Sequence, residues 1–376
     1  MSDLTSPAGP PAEITHLVRE RTEARLRHDW PQADALKAEI EAAGWRVVDR
    51  GSRTSVSPAA PASVEVDGEV RYGAASAVPS LLEVPATPGW AVVMVASEQP
   101  DRVSRLLTGL RSFAPAGTQV VVVANDPSDA QATALAPGAA DLEPVGGTAP
   151  EVLRTSTRLG YAAALNIGLR RAAGEFVLLA DTSAWPTGDA IAPLATALAD
   201  KNVAAAGGFG LYSEDDGPLR PNALSRESAA TGEDTSVTGA ADSAIATAIE
   251  GAWLAFRRSD YIALGPLDER FVTPSWLDVW WTLRLRAGEE PEGAEYIETA
   301  ATGDGTAEGD GPAGDPGRDA PSDASHDIPM PPPRGAVRLD LPLERDEVAW
   351  PPDRARLNRR NMYRILDRFG WREDLA

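Results

Sequence analysis

The stretch from Arg158 to Asp181 reads Arg-Leu-Gly-Tyr-Ala-Ala-Ala-Leu-Asn-Ile-Gly-Leu-Arg-Arg-Ala-Ala-Gly-Glu-Phe-Val-Leu-Leu-Ala-Asp, and it decides the fold of this chain. Its small residues let a helix begin close to other backbone or to a ligand, and Gly174 is predicted to end that helix. Phe176 to Ala180 is a short apolar run typical of a buried strand. Asp181 follows directly, where open α/β sheets bind ligands.

Apolar runs on both sides continue the same pattern. They predict strands at 91–96, 119–124 and 203–206, and helices at 102–113 and 194–198. Buried strands that alternate with amphipathic helices are typical of a nucleotide-binding α/β sheet. The sequence therefore predicts an α/β domain that begins near Trp90.

Two segments resemble motifs of glycosyltransferase family 2, whose members have the GT-A fold. They carry Asn-x-Gly-x-x-x-x-Asn-x-Gly, a helix ending in Gly, and a hydrophobic strand closed by Asp-x-Asp or Asn-Pro-Asp. The segment from Glu250 to Phe271 tracks a second family pattern, Gly-Ala-x-x-Leu-x-Arg-Arg and then Gly-x-[Phe or Leu]-Asp-Glu-x-Phe. In the first motif the chain matches at Gly160, Asn166, Gly168, Gly174 and Asp181, with Arg158 where Asn is usual and Ser183 where the last Asp is expected.

This resemblance, which covers Trp90 to Glu290, has implications for fold and activity. It implies a GT-A-like nucleotide-diphospho-sugar transferase fold, with a mostly parallel central sheet and helices on both faces. It also implies inverting transfer of a hexose from a nucleotide-sugar donor to an acceptor that the sequence does not identify. The residues expected to bind the donor are Asn125, Asp126, Arg158, Gly160, Asn166, Asp181 and Ser183.

Asp181 is the candidate metal ligand. In the family, the aspartates after the central strand hold a divalent ion that bridges the diphosphate, because oxygen ligands suit Mg²⁺ or Mn²⁺. A serine hydroxyl is a weaker ligand than a carboxylate, so Ser183 favours a metal-independent enzyme or one with a changed donor. The alternative for Asp181 is a turn or helix-cap residue.

Asp278 is the candidate general base. It falls where similar enzymes have the second residue of a Glu-Asp pair, and Leu277 replaces the Glu. The three tryptophans around it would partly desolvate a carboxylate and raise its pKa. The alternative is that Asp278 caps the helix predicted at 279–287.

Asn125 and Asp126 follow the second predicted strand. The family has an aspartate here that contacts the nucleobase, and Ala124 occupies its position. Asn and Asp residues after a strand are also ordinary turn formers, so both interpretations stay open.

A second resemblance lies near the N-terminus. Residues 28–49 are similar to the extreme C-terminal piece of cysteinyl-tRNA synthetases, in which a helix pair packs beside a short hairpin. None of the synthetase catalytic motifs is present, which excludes synthetase activity. The predicted organisation is a disordered 1–12, a helix pair plus hairpin at 13–56, a linker at 57–89, the GT-A-like domain at 90–290, a disordered acidic insert at 291–335 and a C-terminal strand and helix segment at 336–376.

Composition narrows the classes of function. A net charge of −21, from 56 acidic and 35 basic residues, argues against nucleic-acid binding dominated by phosphate contacts. The absence of cysteine excludes disulfides, thiolate metal sites and thiol nucleophiles. No export signal or long apolar run is present, so we predict a cytoplasmic protein.

The ends of the chain offer other partners. An arginine-rich helix predicted at 352–375 is a candidate contact for an anionic membrane surface. A catalytically degenerate GT-A domain that acts as a binding or scaffold module is the alternative function, and RNA contact through the terminal segments is a third.

Overall fold

The computed structural model describes residues 10–50, 53–213, 224–225, 243–288, 332–346, 354–370, 372 and 375. The segments predicted to be disordered, 1–12 and 291–335, lie largely outside these residues.

The N-terminal part of the chain has its own small core. Helices α1 (Ala12–Leu26) and α2 (Trp30–Ala42) precede β1 (Trp45–Arg50), which pairs antiparallel with β2 (Arg53–Pro58). The Asp29 side chain accepts the Gln32 amide and caps α2, whose first turn contains a proline. The buried core residues are Ile14, Leu17, Ala24, Ala33, Leu36 and Ile40.

The larger α/β part contains the remaining elements. In chain order they are β3 (Val64–Val66), β4 (Glu69–Tyr72), β5 (Thr87–Ala96), α3 (Pro100–Phe113), β6 (Gln119–Ala124), α4 (Asp129–Ala134), β7 (Glu151–Thr155), α5 (Tyr161–Leu169), β8 (Gly174–Ala180), β9 (Ala184–Pro186), α6 (Ala192–Ala199), β10 (Val203–Gly207), β11 (Gly210–Ser213), β12 (Leu224–Ser225), β13 (Ser243–Ala246), β14 (Ala248–Ile249), β15 (Trp253–Arg257), α7 (Arg258–Leu264), α8 (Leu277–Ala287), β16 (Gly335–Leu339), β17 (Leu343–Arg345) and α9 (Arg354–Phe369).

A ten-stranded sheet organises this part, in the order β13-β16-β10-β15-β8-β5-β6-β7-β4-β3. Strands β8, β5, β6, β7 and β4 are parallel neighbours, whereas β15 runs antiparallel to both β8 and β10. Strand β16 comes from the C-terminal segment and pairs in parallel with β10. The predicted α/β class with a mostly parallel central sheet is confirmed.

The central strands are continuous apolar runs because helices cover both faces of the sheet. Successive side chains of β5 point to opposite faces. Val93 packs in one buried cluster with residues of α5, α8 and α9, whereas Val92 and Met94 pack in the other with residues of α3 and α6. This two-sided burial fixes the register of the strand that precedes Asp181.

The prediction that Gly174 ends the helix is wrong. Helix α5 already ends at Leu169, and Gly174 is the first residue of β8. A Cβ at Gly174 would lie 2.5 Å from the Ala91 amide nitrogen. Glycine is needed here because β8 approaches the backbone of β5 closely.

The segment predicted as a linker, 57–89, contributes to the sheet. It contains the antiparallel pair β3 and β4, and β4 pairs in parallel with β7. A Pro- and Ala-rich composition suggested a linker, but short strands at a sheet edge need few large apolar residues.

Candidate active site

A cavity of about 410 Å³ lies at the carboxyl end of β8. Three elements meet there, because β15 is antiparallel to β8 and begins at the same edge, and α8 starts beside it. The polar side chains that line the cavity are Tyr161, Asp181, Ser183, Glu250, Asp278 and Arg345. The structure therefore brings together three of the predicted site residues, Asp181, Ser183 and Asp278.

Asp181 occupies a tight turn at the cavity wall. Its amide donates to the Ala252 carbonyl at 3.1 Å, and its Oδ1 accepts from the Ser183 amide at 2.9 Å. The turn that the sequence offered as an alternative is thus present, in a residue that also lines the cavity. Ser183 is almost fully buried.

Asp278 lies in the first turn of α8, not at its cap. The helix begins at Leu277, and its N-cap is Trp276 in the left-handed conformation, with a φ of 69°. The Asp278 Oδ2 accepts from the Gly251 amide at 3.0 Å, and Oδ1 accepts from the Val279 amide at 2.9 Å.

The environment of Asp278 changes its acidity. Burial raises the pKa of the Asp278 carboxyl to about 6 against the opposing effect of its backbone hydrogen bonds, and the Glu250 charge raises it further. A carboxylate with such a pKa can accept a proton at neutral pH. Of the flanking tryptophans, Trp276 and Trp281 line the cavity, and Trp281 also packs edge-on against Phe256 at 5.5 Å.

Tyr161 is a cavity residue that the sequence reasoning missed. It opens α5, directly after Gly160, and its amide donates to the Val272 carbonyl at 3.0 Å. Burial and the charges of Asp181 and Asp278 raise the pKa of Tyr161 well above its usual value. The phenol therefore keeps its proton and can donate a hydrogen bond to a ligand.

The ion pair between Glu250 and Arg345 was also missed. The buried Glu250 accepts from Arg345 Nη1 through Oε2 at 2.8 Å, and the guanidinium lies 4.9 Å from the Phe209 ring centroid. Glu250 opens the second family-like motif, which was a usable signal. Arg345 had none, since it reaches the cavity only through the pairing of β17 with β9.

The cavity does not contain a preformed metal site. Across the ranges that the structure describes, no three His, Asp or Glu side chains come close enough to hold a metal ion. Asp181 Oδ1 already accepts an amide, and the guanidinium of Arg345 is a positive charge in the same cavity. These residues do not fit the Mg²⁺ or Mn²⁺ site that the family resemblance implied.

Three further predicted residues lie along the carboxyl edge of the sheet and do not line the cavity. Asn125 is buried and exchanges hydrogen bonds with the Leu159 backbone, at 3.0 Å to its carbonyl and 2.9 Å from its amide. Asp126 follows with a φ of 47°, and Arg158 pairs with Glu98 at 3.0 Å. Asn125 thus holds the loop before α5 in place.

Asn166 and Gly160 position α5. The Asn166 amide group donates to the Leu267 carbonyl at 2.9 Å, and its Oδ1 accepts from the Leu267 amide at 3.0 Å. Asn166 is fully buried, so direct contact with a donor is not what this geometry supports. Gly160 is the N-cap of α5 and lies against Val272, where a Cβ would be 3.2 Å from the Val272 Cα.

Comparison with known proteins identifies the family of the central region. Residues 91–260 match the family model described as "Glycosyl transferase family 2", which confirms the resemblance stated from the sequence. The N-terminal resemblance is confirmed by a cysteine–tRNA ligase of Opitutus terrae that is 43% identical over 60 residues, or 15% of this chain and 13% of the ligase.

Solved structures show more distant similarity. The mannosyltransferase PcManGT of Pyrobaculum calidifontis, in complex with GDP-Man and Mn²⁺, is 18% identical with a TM-score of 0.40, over 56% of this chain and 55% of that one. GalNAc-T7 with UDP, GalNAc and Mn²⁺ is 16% identical with a TM-score of 0.40, over 55% of this chain and 41% of its own. The chain therefore spans about half or less of the length of these proteins.

One further property concerns membranes. Along the described residues, no helix combines the length and the apolar character that crossing a membrane requires.

Proposed function

We propose that the glycosyl transferase family 2 domain, together with the segments that complete its cavity, transfers a hexose from a nucleotide-diphosphate donor to an acceptor hydroxyl. The observation that carries the proposal is the cavity at the end of β8, which contains both Asp181 and a carboxylate suited to base catalysis, Asp278. The proposed stereochemical outcome is inversion at the sugar carbon.

Asp278 is the proposed general base. The acceptor oxygen attacks the anomeric carbon while Asp278 takes the hydroxyl proton, and the bond from that carbon to the diphosphate oxygen breaks. The electron pair of the broken bond leaves with the nucleoside diphosphate. Attack from the face opposite the leaving group inverts the anomeric carbon.

The donor diphosphate is proposed to lie beside Asp181 and Ser183. Tyr161 stands within the electrostatic influence of both Asp181 and Asp278, so its hydroxyl can donate to a sugar or phosphate oxygen between the two carboxylates. A bound Mg²⁺ or Mn²⁺ would supply positive charge to the diphosphate. The cavity residues do not form a site for such an ion by themselves.

The nucleoside is proposed to extend along the carboxyl edge of the sheet. Asp126 and Arg158 lie there after β6 and β7, where their side chains can meet a base or a ribose. Asn125, Gly160 and Asn166 shape this edge by fixing the loop before α5 and the helix itself.

A peripheral contact with an anionic surface is proposed for α9. Arg359 and Arg360 are exposed on this helix, and Asn361 Nδ2 joins it to the Ser275 carbonyl at the cavity at 3.0 Å. Basic side chains near an anionic membrane each contribute about 1 kcal/mol of attraction. Sedimentation with vesicles of neutral or anionic lipid would test this contact, and equal binding to both would exclude it.

The activity is tested by incubating the protein with UDP-, GDP- and dTDP-hexoses and measuring release of the nucleoside diphosphate. Because water can replace an unknown acceptor, slow release from one donor class is the expected result. Asp278→Asn should abolish release while nucleotide binding, measured by calorimetry, is retained. Asp181→Ala should weaken that binding.

The alternative is a non-catalytic binding or scaffold module on the same fold. It predicts no binding of any nucleotide, with or without Mn²⁺, and no effect of Asp181→Ala or Asp278→Asn on partner binding.

A further inference from the structure

Arg345 stands next to the segment where the metal-binding signature is incomplete. Strand β17 pairs antiparallel with β9, which places Arg345 opposite Ala184. The following amide, that of Asp346, donates to the Ser183 carbonyl at 2.9 Å. The C-terminal segment thus delivers a cationic side chain beside Asp181 and Ser183, in the wall of the same cavity.

The guanidinium of Arg345 is held in place. Glu250 Oε2 pairs with its Nη1 at 2.8 Å, and the Phe209 ring lies 4.9 Å from its central carbon. A guanidinium carries five N–H groups in a planar fork that matches phosphate oxygens, and the pair with Glu250 engages one terminal nitrogen. A side chain fixed in this way loses little conformational freedom when a phosphate binds.

A leaving diphosphate needs positive charge nearby. Ser183 is a poor replacement for a metal-binding carboxylate, and the described residues contain no three-ligand cluster. A divalent ion next to Asp181 would also be repelled by Arg345. Arg345 is the cation among the residues that line the cavity.

We propose that Arg345 binds the diphosphate of the donor in place of a metal ion, and that donor binding therefore needs no divalent cation. Glu250 orients the guanidinium before the donor arrives. This inference rests on the proposed function, because it presumes a nucleotide-diphosphate donor.

The test is calorimetric titration of the full chain with UDP, GDP and dTDP, in EDTA and in Mn²⁺. The wild type should bind one of them equally well in both conditions. Arg345→Gln should weaken that binding about tenfold to a hundredfold, the loss expected for one charge-assisted contact. Arg345→Lys, which keeps the charge but not the fork, should give a smaller loss.

Arg338→Gln is the matched control. Arg338 lies on β16 of the same C-terminal segment, pairs with Asp340 at 3.5 Å and does not line the cavity. Its substitution should leave nucleotide binding unchanged. Thermal unfolding of each variant shows whether the protein is folded, and Arg345→Lys provides the comparison if Arg345→Gln is not.

A double variant separates direct contact from loss of charge balance. Arg345→Gln alone leaves the buried Glu250 without this partner, and its charge could repel a diphosphate. If the guanidinium itself binds the diphosphate, Glu250→Gln together with Arg345→Gln should bind as weakly as Arg345→Gln. Full recovery in the double variant would overturn the inference.

Two other outcomes also decide against Arg345. Wild-type binding that requires Mn²⁺ and tolerates Arg345→Gln would overturn the inference, while loss of donor turnover in Asp278→Asn would still support the proposed function. No binding of any nucleotide in either condition would overturn both.

Discussion

The Asp278 carboxylate accepts a hydrogen bond from the Gly251 amide across 3.0 Å, which joins the first turn of α8 to the loop before β15. This bond lowers the pKa of Asp278, but burial outweighs it and brings the pKa to about 6. The contact fixes the position of the carboxylate, and the burial sets its basicity.

The first prediction concerns the pH dependence of donor turnover. If Asp278 acts in its ionised form, the rate should rise with pH through a midpoint near 6 and then level off. Asp278→Asn should lower the rate about a hundredfold to ten-thousandfold, the usual contribution of a general base. A profile that is flat between about pH 5 and about pH 8 would exclude Asp278 as the titrating base.

The same pKa predicts how stability depends on pH. Because the folded protein binds the Asp278 proton more tightly than the unfolded chain does, this group stabilises the fold at low pH. That contribution is lost as the pH rises from the usual value of 3.8 through about 6. Asp278→Asn removes the dependence, so the variant should gain about 2 to 3 kcal/mol relative to wild type between about pH 4 and about pH 8.

Urea unfolding of both proteins at the two pH values measures this difference. All other titrating groups are common to the two proteins and cancel. A gain that is the same at both pH values would mean that Asp278 is not shifted.

A third prediction concerns Asn166, which joins α5 to the turn at Leu267. Its Oδ1 accepts from the Leu267 amide and the Tyr261 hydroxyl, and its Nδ2 donates to the Leu267 carbonyl. Asn166→Ala leaves these buried groups without their partner and should cost about 2 to 4 kcal/mol of unfolding free energy.

Asn166→Asp is the matched variant, because it keeps the size of the side chain but replaces the donor with a second oxygen. It should destabilise the protein at least as much at neutral pH. Chemical denaturation measures both variants, and a loss below about 0.5 kcal/mol in Asn166→Ala would contradict the structural role.

A fourth prediction tests the close approach of β8 and β5. Gly174→Ala would place a Cβ 2.5 Å from the Ala91 amide nitrogen and should destabilise the protein by about 1 to 3 kcal/mol. Gly335→Ala is the control, since its nearest contact would be 3.6 Å away and its effect should be small. Similar melting temperatures for the two variants would show that the strands tolerate a side chain at Gly174.

Much of the fold could be predicted because its signals are local. The apolar runs at 91–96 and 119–124 lie within β5 and β6 as predicted, and the break before Pro31 separates α1 from α2. Boundaries were harder to predict. Gly174 looked like a helix terminus, but its conformation is set by the neighbouring strand β5, which the local sequence does not describe.

The site could be predicted only in part. Asp181 and Asp278 stood out because each follows a recognisable motif, and both line the cavity. Asn125 and Asn166 matched positions in similar enzymes, yet their side chains are occupied by backbone groups that lie far away in sequence.

The sequence by itself determined the strands, the helices and the family, because apolar periodicity and motif spacing lie in contiguous residues. Only the tertiary structure decided which charges share one cavity. Glu250 and Arg345 meet because two strands pair across a long sequence separation, and the pKa of Asp278 rises because other segments bury it. Burial and ion pairing are properties of long-range contacts, so they appear only when the chain is folded.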